Sequence, residues 1–123
     1  MELGWFELSL PVADVERSAA FYAELGFQEV DRMERVVTVQ KGDCRLALYQ
    51  GYLEPDRPQL IFWQGDVSAI ASALEGRGLK VERPQGPGGE TGAMLIDPDG
   101  HPVYFVNIAG VTRKEPPASP SPA

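Results

Sequence analysis

Two stretches of this chain show strand alternation followed by helical spacing. In Phe6–Val12, Phe6, Leu8 and Leu10 alternate with Glu7 and Ser9, a period of two. Val15, Ala19 and Tyr22 then recur at helical spacing. Asp14 stands where an N-cap is needed, and Gly26 where a helix stops. The second stretch repeats this plan. Gln59–Trp63 is apolar on both faces, Asp66 is the cap, and Val67, Ile70, Ala71 and Leu74 form an i, i+3, i+4, i+7 stripe that ends at Gly78. Strand signals follow each helix: Phe27–Met33, Val36–Gln40 and Cys44–Gln50 after the first, Leu79–Arg83, Gly92–Ile96 and Pro102–Asn107 after the second. Lys41-Gly42-Asp43 and Asp97-Pro98-Asp99-Gly100 read as turns, and Pro84–Gly89 as a loop.

The two stretches align when the chain is shifted against itself, with Leu8 falling on Leu60, Asp14-Val15 on Asp66-Val67, Ala19 on Ala71 and Gly26 on Gly78. The sequence thus predicts an α+β fold of two tandem β-α-β-β-β modules, one over about 4–52 and one over about 57–109, within a single domain spanning 1–112. Neither module covers its own sheet, so the two are expected to pack together. Glu54–Pro58 is the expected linker. Residues 113–123, with four prolines in the last eight residues, are expected to be a disordered tail.

Charge and composition narrow the partners. Eleven basic against eighteen acidic residues give a formal charge of −7, which repels a phosphate backbone and argues against nucleic acid. No apolar run approaches the roughly 20 residues that span a bilayer, and the N-terminus lacks a basic signal start; a cytoplasmic protein without membrane partners is expected. The one cysteine, Cys44, allows no internal disulfide. The one histidine, His101, directly follows a turn and is expected to serve it.

Leu8–Phe27 (LSLPVADVERSAAFYAELGF) and Ile96–Asn107 (IDPDGHPVYFVN) resemble the opening strand and helix and the closing hairpin of the vicinal oxygen chelate superfamily. That superfamily includes glyoxalases, bleomycin-resistance proteins and extradiol dioxygenases. The resemblance implies a cup-shaped mixed sheet made by the two modules. It also implies four metal-ligand positions, which fall here on Glu7, Leu48, Gln59 and Tyr104. A catalytic divalent ion needs about three good protein ligands, and this set offers one carboxyl, one neutral amide and one phenol, so no metal and no cofactor are expected.

Strand parity with these positions gives the expected cup wall: Trp5, Glu7, Ser9, Leu48, Gln59, Ile61, Trp63, Tyr104 and Val106. Apolar and aromatic walls with a few polar anchors are the make-up of a small-molecule site. The character is closest to the metal-free bleomycin-resistance branch, and implies a binder that sequesters an aromatic or cationic organic ligand, with Trp5 and Trp63 stacking and Glu7 as counter-charge. The alternative is a lyase, isomerase or dioxygenase-like enzyme using Glu7 as base and Tyr104 or Gln59 as a polarising group, with or without a metal site completed by a partner subunit. A homodimer is expected in either case.

Overall fold

In the computed structural model, residues 1–51, 53–85 and 91–116 are described. Among them are seven strands and two helices: β1 (Gly4–Pro11), α1 (Val15–Glu24), β2 (Gln28–Met33), β3 (Val36–Lys41), β4 (Cys44–Tyr49), β5 (Gln59–Gln64), α2 (Val67–Gly76), β6 (Ala93–Ile96) and β7 (Pro102–Val106). The strands follow the order β2-β3-β4-β1-β5-β7-β6 in one mixed sheet. No helix among the described residues is long and apolar enough to cross a membrane.

The contacts divide the chain into two units. The first holds Met1–Glu7 and Pro58–Thr112; the second holds Leu8–Arg57 and the chain from Arg113 onward. The division falls inside β1, whose first half belongs to one unit and second half to the other.

Both helices start and stop by the same chemistry. The Asp14 carboxyl accepts from the Arg17 amide at 3.1 Å, and the Asp66 carboxyl accepts from the Ala69 amide at 3.1 Å, each satisfying one of a helix's unpaired first amides. At the other end Gly26 and Gly78 take φ of 98° and 84°. The next residues fold back, with the Phe27 amide donating to the Tyr22 carbonyl and the Leu79 amide to the Leu74 carbonyl, both at 3.1 Å. Left-handed backbone at that position favours glycine.

In the second unit β1 pairs parallel with β4, placing Leu8 beside Leu46 and Leu10 beside Leu48. These leucines pack with Val37, Val39, Val15, Tyr22 and Phe27 into a core under α1. In the first unit β5 pairs parallel with β7, placing Ile61 beside Tyr104 and Phe62 beside Phe105. There the core under α2 is Ile70, Ala71, Ala93 and Phe105, with Phe62, Leu74, Val81, Leu95 and Val103 around it.

Two expectations change. The strand read at Leu79–Arg83 shrinks to a single bridge, Glu82 with Met94. Lys80, Glu82 and Arg83 are exposed and only Val81 turns to the core, so the segment has little apolar face to bury, and Pro84 cannot donate to a ladder. The tail read as disordered begins with held residues, since Arg113, Lys114 and Glu115 all bond to the second unit or to one another. Residues 117–123 of that tail, and 86–90 of the expected Pro84–Gly89 loop, lie outside the described residues.

Candidate functional site

Face by face, the first unit gathers most of the expected site residues. Along β5, Leu60 and Phe62 alternate with Gln59, Ile61 and Trp63. Phe62 packs under α2, so by the pleat Gln59, Ile61 and Trp63 take the opposite face. Tyr104, beside Ile61, and Val106, beside Trp63, join them there from β7. From the first half of β1, Trp5 stacks on Trp63 with ring centroids 5.5 Å apart and planes 17° from parallel. Its neighbour Phe6 points the other way and meets Phe62. Glu7, two residues beyond Trp5, is buried at 6% exposure, and Gln59 at 3%.

The tryptophan pair is fixed by the backbone beneath it. Gly4 takes φ of 97°, and a Cβ there would collide with the Trp63 carbonyl oxygen. A Cβ at Gly65 would lie 2.7 Å from the Leu3 carbonyl oxygen. Next to Trp63, Gln64 has φ of 67°, a left-handed conformation that strains a residue with a side chain. Three hydrogen bonds hold it: its Nε2 donates to the carbonyls of Ile108 at 2.8 Å and Val111 at 2.7 Å, and its Oε1 accepts from the Ile108 amide at 2.8 Å. Asn107 Nδ2 donates to the Gly65 carbonyl at 2.8 Å. These positions were not singled out in the sequence, where Gln64-Gly65 looks like the end of a strand. Their role appears only through partners more than 40 positions away.

Trp63 Nε1 is buried and has no hydrogen-bond partner among the described residues. A buried donor left unpaired costs about 1–3 kcal/mol and is uncommon in a folded protein. The 5.5 Å spacing is ring-on-ring contact. This spacing leaves no room for a planar guest between the two rings.

Two expected wall residues belong to the second unit. Ser9 is buried at 1% exposure and lies beside Ala47, on the face away from α1. Leu48 is fully buried under α1, and its placement in the ligand site is corrected. Its neighbour across the ladder is Leu10, so the ladder sends Arg45, Ala47 and Tyr49 to the face that Leu48 was expected to take. A slip of one residue reverses every side chain of a strand. The metal-ligand positions therefore hold an apolar side chain turned away, a carboxyl, an amide and a phenol. Among the described residues no group of three or more His, Cys, Asp or Glu converges. This donor set does not fit a divalent ion.

His101 serves its turn. Its amide donates to Asp97 Oδ1 at 2.8 Å, its Nδ1 lies 3.0 Å from Asp97 Oδ2, and the Gly100 amide closes the turn on the Asp97 carbonyl at 3.0 Å. The backbone bond from His101, then its side chain, hold the Asp97 carboxyl below its usual range. Cys44 is exposed at the start of β4. The hollows lined by Val12, Asp14, Arg17, Phe21 and Tyr22 (about 340 Å³) and by Lys80, Glu82, Met94, Leu95 and Ile96 (about 270 Å³) involve neither tryptophan.

Similar folds are known. A structure described as an NAD-dependent benzaldehyde dehydrogenase from Legionella pneumophila superposes with a TM-score of 0.67 at 18% identity, covering 84% of this chain and 98% of that one. A glyoxalase/bleomycin resistance protein/dioxygenase superfamily member from Vibrio splendidus 12B01 gives 0.61 at 15% identity, covering 84% and 97%. An uncharacterized protein from Methanosarcina mazei gives 0.58 at 19% identity, covering 92% and 98%. At these identities the likeness concerns the fold. No curated protein matches the sequence. The sequence model of one family matches residues 3–105: the chain belongs to the glyoxalase/bleomycin resistance protein/dioxygenase superfamily.

Proposed function

We propose that this protein is a metal-independent binder of a small planar organic ligand, seated on the Trp5–Trp63 face of the first unit. One observation carries the reading: two stacked tryptophans, one with an unpaired buried indole N–H, share a sheet face with a buried carboxyl and a buried amide. An aromatic ligand gains from stacking on the exposed side of the pair. A cationic one gains further from the ring faces and from Glu7. Gln59 and the Trp63 N–H supply the directional bonds that fix orientation, as polar anchors do in apolar sites. The metal-independent reading is supported by the donor chemistry of Glu7, Gln59 and Tyr104, which suits an organic guest better than an ion. The sequestration role rests on the same chemistry: binding needs only complementarity, with no reacting group brought to bear.

The test is a tryptophan-fluorescence titration with bleomycin and with a simple planar aromatic cation such as acriflavine, on the parent protein and on Trp63→Phe and Glu7→Gln. Saturable quenching weakened at least tenfold in Trp63→Phe and at least threefold in Glu7→Gln supports the reading. Quenching that is linear in ligand, or unchanged in both variants, overturns it. A chelator that abolishes saturable binding overturns its metal-independent part.

A further inference from the structure

In the second unit, the face away from α1 is polar, and the chain's own C-terminal segment lies on it. Gln40 on β3 stands opposite Arg45 on β4, buried at 3% and 4% exposure. Arg45 Nη1 donates to Gln40 Oε1 at 2.8 Å and to the Lys114 carbonyl at 2.7 Å. Gln40 Nε2 donates to the Gly42 carbonyl at 3.0 Å and to Glu115 Oε2 at 3.4 Å. The Lys114 ammonium reaches Asp31 Oδ1 at 2.8 Å.

Asp31 is on this face because of a defect in the ladder. The β2–β3 register shifts between Glu29 and Asp31, so that Asp31 pairs with Thr38 instead of Val37. In an unbroken register Val30 would pair with Thr38 and Asp31 would lie with Val37, on the core side. The bulge thus aims a carboxyl at the strip that Arg45 and Gln40 already occupy. Three strands then present, in a short span, an acceptor for a cation, a donor for a backbone carbonyl and a donor for a carboxylate. Those are the features of a dipeptide of the Lys-Glu type in extended form.

We infer that this face is a binding site for an extended peptide segment carrying a lysine followed by an acidic residue, and that Arg113–Glu115 of the same chain fills it. The segment is an internal occupant, held by polar bonds to side chains, so a peptide of the same pattern competes for the place once the segment is loosened. The site shares no residue with the Trp5–Trp63 face.

The experiment uses the full chain and acetyl-Thr-Arg-Lys-Glu-Pro-amide, the sequence of residues 112–116, titrated by calorimetry. Lys114→Glu loosens the internal segment by setting a second acid against Asp31. The peptide is expected to bind Lys114→Glu at least fivefold more tightly than the parent protein. Adding Arg45→Met is expected to remove that binding. Equal binding to parent and Lys114→Glu, or binding to neither, overturns the proposal. Tryptic cleavage after Arg113 gives a second measurement that spares Arg45: Asp31→Ala is expected to speed it at least threefold, and an unchanged rate overturns the proposal. A Gln40→Ala variant answers the same question should Arg45→Met not fold, with weaker peptide binding expected and unchanged binding contradicting the assignment.

Discussion

The two units are built on one plan and present different chemistry. Each pairs its first strand parallel to its last, caps its helix with an aspartate and ends it at a left-handed glycine. Away from the helix, the first unit shows Trp5, Trp63, Ile61 and Tyr104, while the second shows Ser9, Thr38, Gln40 and Arg45, the last two bonded to a segment of its own chain. The helix-facing core is constrained by packing, since a cavity or a clash there is felt at once. The opposite face is also largely buried, but its buried residues are polar: Glu7 and Gln59 in the first unit, Ser9, Thr38, Gln40 and Arg45 in the second. The two units thus share core and caps while the residues on the face away from the helix differ.

Breaking the core should separate the faces most sharply. Leu48→Ala empties a fully buried site and is expected to cost about 2–5 kcal/mol, measured by urea denaturation. Ile61→Ala, at a half-buried position on the face of the first unit away from α2, should cost less than half of that. Equal losses would mean that the two faces are not different in kind.

The placement of Leu48 also marks where the sequence stops being legible. Caps and stops are local: Asp14, Asp66, Gly26 and Gly78 act within one helical turn, and each stands where the pattern placed it. The strand face of Leu48 depends on pairing with Leu10, nearly 40 residues away. Counting from a family pattern placed Leu48 on β4 but could not give the face it takes. Gln59, Ile61, Trp63, Tyr104 and Val106 could be assigned to one face by parity because β5 and β7 are short and regular. The bonds of Gln64 to Ile108 and Val111, and of Lys114 to Asp31, join residues 44 to 83 positions apart, and no local signal announces them.

A second comparison concerns what steadies each face. Removing the Gln64 side chain leaves the Ile108 amide and two carbonyls without it, and Gln64→Ala is expected to lose about 1–3 kcal/mol and to shift the tryptophan emission. The matching change in the second unit, Gln40→Ala, should leave that emission unchanged. The caps should behave alike: Asp14→Ala and Asp66→Ala are each expected to cost about 1 kcal/mol in the same denaturation assay. A loss at only one would show that one helix relies on its cap and the other on packing.

The smallest effect expected is on acid titration. The Lys114 ammonium, bonded to Asp31, holds that carboxyl below its usual range, with the Arg32 amide assisting. A depressed carboxyl stabilises the folded state above its unfolded pKa, and that contribution fades as pH falls through the folded pKa, here below about pH 4. The Asp31 carboxyl carbon, followed by NMR, should titrate below the ordinary aspartate range and return towards it in Lys114→Ala. An unchanged midpoint would detach Lys114 from Asp31.

The most direct measurement is a two-dimensional amide and indole NMR titration of the full chain with acriflavine. Saturable shifts of the Trp5 and Trp63 indole signals are predicted, with the Thr38, Gln40 and Arg45 amides unmoved. Movement of those amides with both indoles stationary would contradict the assignment of the organic ligand to the tryptophan face.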